Sequence, residues 1–339
     1  MDAKEANRTQ ERTSPDSHTE RVAQKQRKIQ QSQDRRDHEP EPDETKPGGA
    51  VQTGKSKQPE PPFPVNHLKK PGAESDLEVA PKFLAESYRG SGKLENCVAL
   101  VTGGDSGIGR AVSVLFAREG ADVAIVYLNE REDAEETSKW VEKEGRQCLL
   151  IPGDVKDPDF CRSAVQSTVS KFGKLNVLVN NAAFQEHAES LDELDETRFD
   201  ETMKTNVYGY FHMAKAALPY LPRGSCIINT GSVTGLKGNK KLLDYSTTKG
   251  AIHAFTMSLA ANLLEKGIRV NAVAPGPVWT PLNPADKDGK ELAEFGSQTS
   301  YGRPAQPEEL SPAYVFLASS ACSSYITGIV LPVTGSVGE

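Results

Sequence analysis

Tyr245 and Lys249 are the two residues whose types and spacing suggest chemistry most directly. They lie four positions apart in a stretch with helical character, so both side chains project from the same helix face. A free tyrosine has a pKa of about 10, and an ammonium group within a few ångströms favours the phenolate and lowers that pKa. The pair therefore predicts a tyrosine that exchanges protons as a general acid and base.

Ser232 and Asn206 could complete a site around this pair. Ser232 follows a β-rich run at positions 226–230, and open α/β proteins bind ligands at the carboxyl edge of their strands. Its hydroxyl group could hydrogen-bond a substrate oxygen on which charge develops. Asn206 is polar within an amphipathic helical stretch and could hold a water molecule between Lys249 and solvent. Each residue alone is more often structural, but together they predict a catalytic site.

A glycine-rich turn precedes these residues in the chain. The sequence TGGDSGIG starts at Thr102, directly after an apolar run, and a helical stretch follows it. Glycines in such a strand-turn-helix unit allow a tight turn and let the backbone approach a pyrophosphate at the positive end of the helix. The turn therefore predicts a dinucleotide site that includes Gly103, Asp105, Ser106, Gly107, Ile108 and Gly109.

Tyr127 ends the second β-rich run, at the place where enzymes that use NAD carry an acidic residue for the ribose 2′-hydroxyl. Because Tyr127 has no carboxylate to repel a 2′-phosphate, the sequence favours NADP(H) and permits NAD. Arg131 could bind that phosphate or could equally be an ordinary surface arginine. The nearby carboxylate of Glu130 complicates the choice between NADP(H) and NAD.

Four more residues suit the walls of a cofactor cleft. Asp154 and Val155 follow the third β-rich run, where a carboxylate could accept a hydrogen bond from an adenine amino group or could instead cap the next helix. Asn181 and Ala182 follow the fourth run, and small residues there let the backbone approach a ribose.

β-rich runs and helical stretches alternate from position 94 onward. The runs are almost entirely apolar, which indicates parallel strands covered by helices on both faces. We predict strands over 98–102, 122–127, 148–151, 177–179, 226–230, 268–274 and 329–333, and helices over 109–119, 133–144, 158–172, 197–218, 245–265 and 307–318. The fold class is accordingly α/β, a Rossmann-type doubly wound parallel sheet that forms a single domain over 94–339.

The residues before position 94 differ in composition. Positions 1–58 are polar and densely charged, which predicts a disordered tail. Positions 59–93 begin with the prolines of PEPPFP and predict an extended arm. We expect this arm to lie on a surface, either of its own subunit or of a neighbour.

Charge and cysteine content argue against several classes of function. Residues 1–90 carry 16 basic and 16 acidic side chains, so the net charge of −7 belongs to the rest of the chain. An acidic domain is poorly suited to nucleic acid or an anionic membrane, and no apolar stretch reaches the length of a membrane span. The five cysteines are scattered without a CxxC pair, and acidic residues occur among the first positions. We therefore expect a cytoplasmic protein with reduced thiols.

These motifs together resemble the short-chain dehydrogenase/reductase family. The resemblance covers 94–339 and comprises TGGDSGIG at 102–109, NNAA at 180–183, Asn206, Ser232, YSTTK at 245–249 and PGPVWTP at 275–281. It implies a catalytic tetrad of Asn206, Ser232, Tyr245 and Lys249. It also implies that Val278 and Thr280 contact the nicotinamide end of the cofactor, and that Pro275 and Gly276 bind the cofactor. Tyr245 and Lys249 would also contact the cofactor. The resemblance further implies a homotetramer built through the helices that carry Asn206 and Tyr245.

A subgroup of this family shares PPFP in the arm, GSGKL at 90–94, and LLDYS and PVWTPL in the domain. Its members are bacterial general-stress oxidoreductases, NADP-dependent aldehyde reductases and plant glucose/ribitol dehydrogenase homologues. The implied activity is reversible hydride transfer between a nicotinamide cofactor and a small carbonyl or alcohol substrate. Aldehyde or ketone reduction is the preferred function. NAD-dependent oxidation of a sugar or polyol is the alternative, and a non-catalytic dinucleotide-sensing scaffold ranks below both. Two departures from the family pattern are NNAA in place of NNAG and Gly335-Ser336 in place of a final Gly-Gly.

The substrate is expected to bind against positions 282–301, whose PADKDG centre predicts a mobile lid. We expect the charged residues of this centre to form a solvated tip rather than to bind substrate; they are Asp286, Lys287, Asp288 and Lys290.

Overall fold

The computed structural model describes residues 49–65, 68–287 and 289–337. Most of the tail that the sequence predicts to be disordered lies outside these residues, as does Asp288. Among the helices of the described part, none is long and apolar enough to cross a membrane.

Seven parallel strands in the described part of the chain form one sheet, in the order β3-β2-β1-β4-β5-β6-β7. They are β1 (Val98–Thr102), β2 (Asp122–Tyr127), β3 (Cys148–Pro152), β4 (Val177–Asn180), β5 (Cys226–Thr230), β6 (Arg269–Pro275) and β7 (Val330–Val333). Every predicted strand is confirmed, with each end within one residue. The predicted doubly wound α/β sheet is therefore correct.

Helices cover both faces of the sheet. They are α1 (Gly107–Arg118), α2 (Arg131–Lys143), α3 (Pro158–Phe172), α4 (Glu196–Met203), α5 (Gly209–Ala217), α6 (Thr234–Lys237), α7 (Leu243–Leu263), α8 (Gly289–Ala293), α9 (Pro307–Ala318) and α10 (Ser320–Ser323). Short 3-10 turns occupy Glu74–Asp76, Leu191–Glu193 and Leu218–Tyr220. The predicted helical stretch over 197–218 is confirmed as one continuous helical run, in which a π-helical turn at Lys204–Tyr208 joins α4 to α5. Such turns are often found at functional sites.

The two faces of the sheet form two separate hydrophobic cores. Successive residues of a strand point to opposite faces, and Leu100 and Val101 of β1 accordingly enter different cores. Helices α1 and α9 pack together on one face, and α3 packs against α5 on the other. The strand order reverses between β1 and β4, and the crevice at such a switch point, beyond the carboxyl ends of the strands, is where open sheets bind ligands.

The arm packs on its own chain. The backbone nitrogen of Val51 donates to Tyr301 O at 2.8 Å, before the predicted start of the arm at position 59. Farther along, the ring of Phe63 stacks on Trp279 with ring centroids 4.1 Å apart. The arm is thus bound to the region of the predicted lid in the same subunit.

Candidate active site

A cleft of about 970 Å³ opens at the carboxyl end of the sheet. This volume is at the upper end of the range usual for small-molecule and cofactor sites. Its walls bring together 16 of the 17 residues that the sequence predicts for the cofactor, namely Gly103, Asp105, Ser106, Gly107, Ile108, Tyr127, Asp154, Val155, Asn181, Ala182, Tyr245, Lys249, Pro275, Gly276, Val278 and Thr280. Ser232 lines the same cleft.

Gly109 is the predicted residue that lies behind the cleft wall instead. A Cβ atom at this position would stand 1.8 Å from Gly103 O, so the glycine allows α1 to pack tightly against the turn. Gly107 has a φ of +50°, and a Cβ there would meet Thr280 at 3.0 Å. The glycines keep side chains of the turn itself out of this part of the cleft, which fits a dinucleotide pyrophosphate near the start of α1, while the backbone nitrogen of Gly107 is bound by Glu74.

Glu74 of the arm reaches this turn, a contact that sequence reasoning missed. Its carboxylate accepts a hydrogen bond from the backbone nitrogen of Gly107 and another from Arg110, both at 2.6 Å. Arg110 also pairs with Asp133 at 3.2 Å. Burial raises the pKa of Glu74, although Arg110 and Gly107 act in the opposite direction. A single acid in a polar arm gives no sequence signal that it will enter a cofactor turn.

The end of the cleft next to β2, where the sequence predicts the adenosine, contains acidic groups. Asp105 is buried, and burial together with the nearby charge of Glu130 raises its pKa to about 7. Tyr127 is buried beside them at the end of β2. Arg131 is exposed and pairs with Glu135 at 2.7 Å, which agrees with the interpretation of Arg131 as a surface arginine.

The other predicted cofactor wall is held by local hydrogen bonds. Asp154 accepts from the backbone nitrogen of Lys156 at 2.9 Å. The cap of α3 is provided by Asp157, whose side chain accepts from the backbone of Asp159, so Asp154 is not that cap. Asn181 donates to Gly103 O at 3.0 Å and so fixes the loop after β4 against the glycine-rich turn.

Ser232, Tyr245 and Lys249 meet on one wall. Ser232 lines the cleft beside Tyr245 and lowers the pKa of its phenol, but burial outweighs this effect and raises the pKa above its ordinary value. Lys249 Nζ lies 5.3 Å from the centroid of the Tyr245 ring and donates to Thr230 O at 2.8 Å. The two groups predicted to act together are thus neighbours.

The sequence predicts that the charge of Lys249 lowers the pKa of Tyr245. In the protein without cofactor this lowering is not found. Burial lowers the pKa of Lys249 to about 7, so this lysine loses much of its charge at neutral pH. Desolvation of Tyr245 therefore outweighs any help from its neighbour. The expectation overlooked that the same burial acts on both groups.

Asn206 lies beneath the cleft, completely buried in the π-helical turn. Its Nδ2 donates to Phe184 O at 2.9 Å and to Thr248 Oγ1 at 3.0 Å, and its Oδ1 accepts from Phe184 N at 2.8 Å. The side chain thereby joins the loop after β4 to the residue that precedes Lys249. This geometry suits a positioning role.

The lid carries the clearest error of the sequence interpretation. Asp286, expected in a solvated tip, is buried at 2 % exposure and bonded to Gln185 and His187. Lys290 is exposed as expected, and Lys287 is half-buried. Asp286 is buried because the arm covers the lid, with Leu68 N bound to Pro284 O at 3.0 Å. Composition alone contains no information about such a cover.

The arrangement of a glycine-rich turn, a buried tyrosine, a serine and a buried lysine around one cleft is that of a dinucleotide-dependent oxidoreductase. A family model described as enoyl-(acyl carrier protein) reductase matches residues 103–336. The chain belongs to the short-chain dehydrogenase/reductase family, whose enzymes act on CH–OH groups or the corresponding carbonyls with NAD or NADP.

Three relatives match about four fifths of this chain and nearly all of their own length. General stress protein 39 of Bacillus subtilis is 53 % identical over 79 % of this chain and 93 % of its own length. NADPH-dependent aldehyde reductase 1, chloroplastic, of Arabidopsis thaliana is 47 % identical over 78 % and 94 % of the two chains. Glucose and ribitol dehydrogenase of Daucus carota is 46 % identical over 80 % and 95 %. The predicted subgroup is therefore confirmed.

A solved structure gives the same fold. A short chain dehydrogenase from Burkholderia cenocepacia in complex with NADP is 32 % identical, with a TM-score of 0.68 over 73 % of this chain and 100 % of that one.

Proposed function

We propose that the protein reduces aldehydes or ketones of small molecules with NADPH, in a reversible reaction. The observation that carries this proposal is the meeting of Tyr245, Ser232 and Lys249 on one wall of a cleft that also contains the glycine-rich turn. A scaffold that only senses a dinucleotide has no need for a serine and a tyrosine beside a buried lysine.

Each side chain has a distinct part in this proposal. Tyr245 gives its proton to the carbonyl oxygen of the substrate, and Ser232 hydrogen-bonds the same oxygen as negative charge develops on it. Lys249 holds the cofactor ribose, and Asn206 positions the segment that precedes Lys249. When bound, the reduced nicotinamide supplies the hydride that joins the carbonyl carbon.

NADP(H) is the cofactor favoured here. Tyr127 places no carboxylate at the end of β2, the relative from Arabidopsis is named NADPH-dependent, and the Burkholderia structure holds NADP. A second candidate, NAD-dependent oxidation of a sugar or polyol, is favoured by the carboxylates of Asp105 and Glu130, which line the same end of the cleft.

Replacement of Tyr245 by Phe tests the catalytic role. Purified Tyr245→Phe protein should retain cofactor binding and lose aldehyde reduction by a factor of about 100 or more, because only the proton donor is removed. The absorbance of the reduced nicotinamide gives the rate, and Tyr208→Phe, on the exposed π-helical turn, is the matched control. Full activity of Tyr245→Phe would overturn the mechanism. A panel of aldehydes and polyols with both cofactors separates the two candidate functions.

A homotetramer in the cytoplasm is part of the proposal. The helical segments that carry Asn206 and Tyr245 expose large apolar side chains to solvent in the single chain, including Tyr208, Phe211, Met257 and Leu264. Burial of these side chains against another copy would stabilise the assembly. All five cysteines are free thiols, which is the state that a reducing compartment maintains.

Hydrodynamic measurements test the tetramer. Met257→Asp should reduce the particle to dimers or monomers, since it places a charge in the apolar face. Leu191→Asp, an exposed apolar position away from these helices, is the control and should leave the size unchanged.

A further inference from the structure

A second group of polar residues lies at the substrate end of the cleft. The buried carboxylate of Asp286 accepts hydrogen bonds from Gln185 Nε2 at 2.6 Å and from the backbone nitrogen of His187 at 2.7 Å. Its Oδ1 also lies 2.9 Å from His187 Nδ1. The lid is therefore joined by charge-assisted hydrogen bonds to the loop that follows β4.

This contact fixes the orientation of the imidazole. An ionised carboxylate only accepts hydrogen bonds, so the proton of the contact is on Nδ1 of His187. Nε2 is then the ring nitrogen left to meet a molecule in the cleft. His187 lines the cleft together with Gln185, and its side chain keeps 32 % of its surface exposed.

The loop that carries His187 is joined to the segment before Tyr245. The backbone nitrogen of Ala188, the residue after His187, donates to Lys241 O at 2.8 Å, four positions before Tyr245, and His187 and Tyr245 line the same cleft. A buried carboxylate costs free energy unless its hydrogen-bonding capacity is satisfied, and the contacts of Asp286 with Gln185 and His187 satisfy it. The neighbouring part of the lid is closed by apolar packing, with Trp279 against Phe63 and Phe295.

The cluster does not suit a metal ion. Glu186, His187 and Asp286 hold ligand-type atoms within 4.8 Å of one another. Lys70 of the arm already supplies a positive charge there, since its Nζ lies 3.0 Å from Glu186 Oε2 and donates to Gln185 O at 2.8 Å. The residues are better explained by hydrogen bonding to a neutral ligand.

We propose that His187, oriented by Asp286, binds a hydroxyl group next to the carbonyl of the substrate. The inference rests on the proposed function, because it takes Tyr245 and Ser232 as the groups that hold the carbonyl oxygen. The substrate class is then the hydroxyaldehydes and the polyols formed from them, rather than simple alkanals.

The chemistry of a hydroxyl group matches this position. It both donates and accepts, so it pairs with imidazole in either protonation state. An alkyl substituent would displace water from the imidazole and would provide no hydrogen-bond partner in its place. Sites that hydrogen-bond a substrate hydroxyl discriminate strongly against analogues that lack it.

Steady-state kinetics of the full chain with NADPH and two matched aldehydes, glyceraldehyde and propanal, test the proposal. Wild-type kcat/KM should be higher for glyceraldehyde by about tenfold or more. His187→Phe should lower kcat/KM for glyceraldehyde by about 100-fold, chiefly through KM, and leave the value for propanal within about twofold. His187→Gln, which keeps a polar atom, should recover part of the loss.

Asp286→Asn should lower kcat/KM for glyceraldehyde by a smaller factor than His187→Phe, because the amide retains the shape of the carboxylate but not its charge. Glu189→Gln, an exposed change on the same loop, is the control. Equal losses on both aldehydes, or an unchanged preference in His187→Phe, would overturn the role of His187. If the wild type reduced neither aldehyde, and its rates equalled those of Tyr245→Phe, the proposed function itself would be wrong.

Discussion

The carboxylate of Glu74 accepts a hydrogen bond from the backbone nitrogen of Gly107 at 2.6 Å, so a residue of the arm caps helix α1 at the cofactor turn. The same carboxylate pairs with buried Arg110. Removal of one partner from a buried ion pair costs about 3–5 kcal/mol when it leaves a charge uncompensated. Because Arg110 keeps its pairing with Asp133, we expect Glu74→Ala to lower the free energy of unfolding by about 2–3 kcal/mol in urea denaturation.

Two controls accompany the Glu74 prediction. Glu74→Gln keeps an acceptor for Gly107 and should lose less stability than the alanine variant. Glu74→Ala combined with Arg110→Met forms a double-mutant cycle, which should give a coupling energy of at least about 1 kcal/mol. Strictly additive effects would contradict a direct interaction between the two side chains.

Phe63→Ala should open the contact between arm and lid. The change removes the ring that stacks on Trp279, and loss of a buried phenylalanine costs about 3–5 kcal/mol. Trp279 would gain access to water, so its fluorescence should shift to longer wavelength. The measurement is made in a Trp140→Phe background, because Trp140 is the other tryptophan.

Phe63→Leu is the matched control, since it keeps an apolar side chain at the same place and should shift the emission less. An unchanged emission maximum in Phe63→Ala would show that the arm does not shield Trp279.

The stability of the cofactor-free protein should depend on pH through Lys249. The pKa of Lys249 is lowered to about 7 in the folded chain, whereas an unfolded lysine titrates near about 10.4. Between these values the unfolded state binds the extra proton, so rising pH favours the folded state, by at most about 1.4 kcal/mol per pH unit.

Comparison with Lys249→Met isolates this contribution, because the other titrating groups are shared. The wild type should gain stability relative to the variant as the pH rises from about 7 to about 9. A stability difference that stays constant over this interval would mean that Lys249 keeps its ordinary pKa.

Tyr127→Asp should shift cofactor preference toward NAD. The new carboxylate would lie at the end of β2, in the position where NAD enzymes bind the ribose 2′-hydroxyl, and would repel a 2′-phosphate. We expect the Kd of NADPH to rise by about tenfold or more relative to that of NADH, measured by fluorescence titration. Tyr127→Asn is isosteric with the aspartate variant and uncharged, so an equal shift in both would assign the effect to loss of the ring instead.

The sequence predicted the sheet and the cleft well for a physical reason. Apolar runs such as Val98–Thr102 are buried on both faces, and the glycine-rich turn follows directly from its strand. Local composition is therefore sufficient to locate Gly103, Ser232 and Tyr245 at the same edge of the sheet.

The errors arise where distant segments determine the environment. Asp286 is polar and lies in a turn-like stretch, yet the arm covers it; Glu74 lies in a polar arm, yet it enters the cofactor turn. Lys249 was expected to carry a full charge, but its burial depends on the whole cleft. Contacts between residues far apart in the chain are not visible in composition or periodicity.

The arm has a consequence for synthesis on the ribosome. Val51 and Gln58 are made early, but their partners Tyr301 and Glu308 are about 250 residues later in the chain. These residues, and Phe63 and Leu68 of the arm, therefore cannot dock until nearly the whole domain has emerged, whereas Glu74 can reach Gly107 and Arg110 much earlier. Phe63 and Leu68 would stay accessible to chaperones during that interval, so docking of these residues follows synthesis of the part of the active site that they cover.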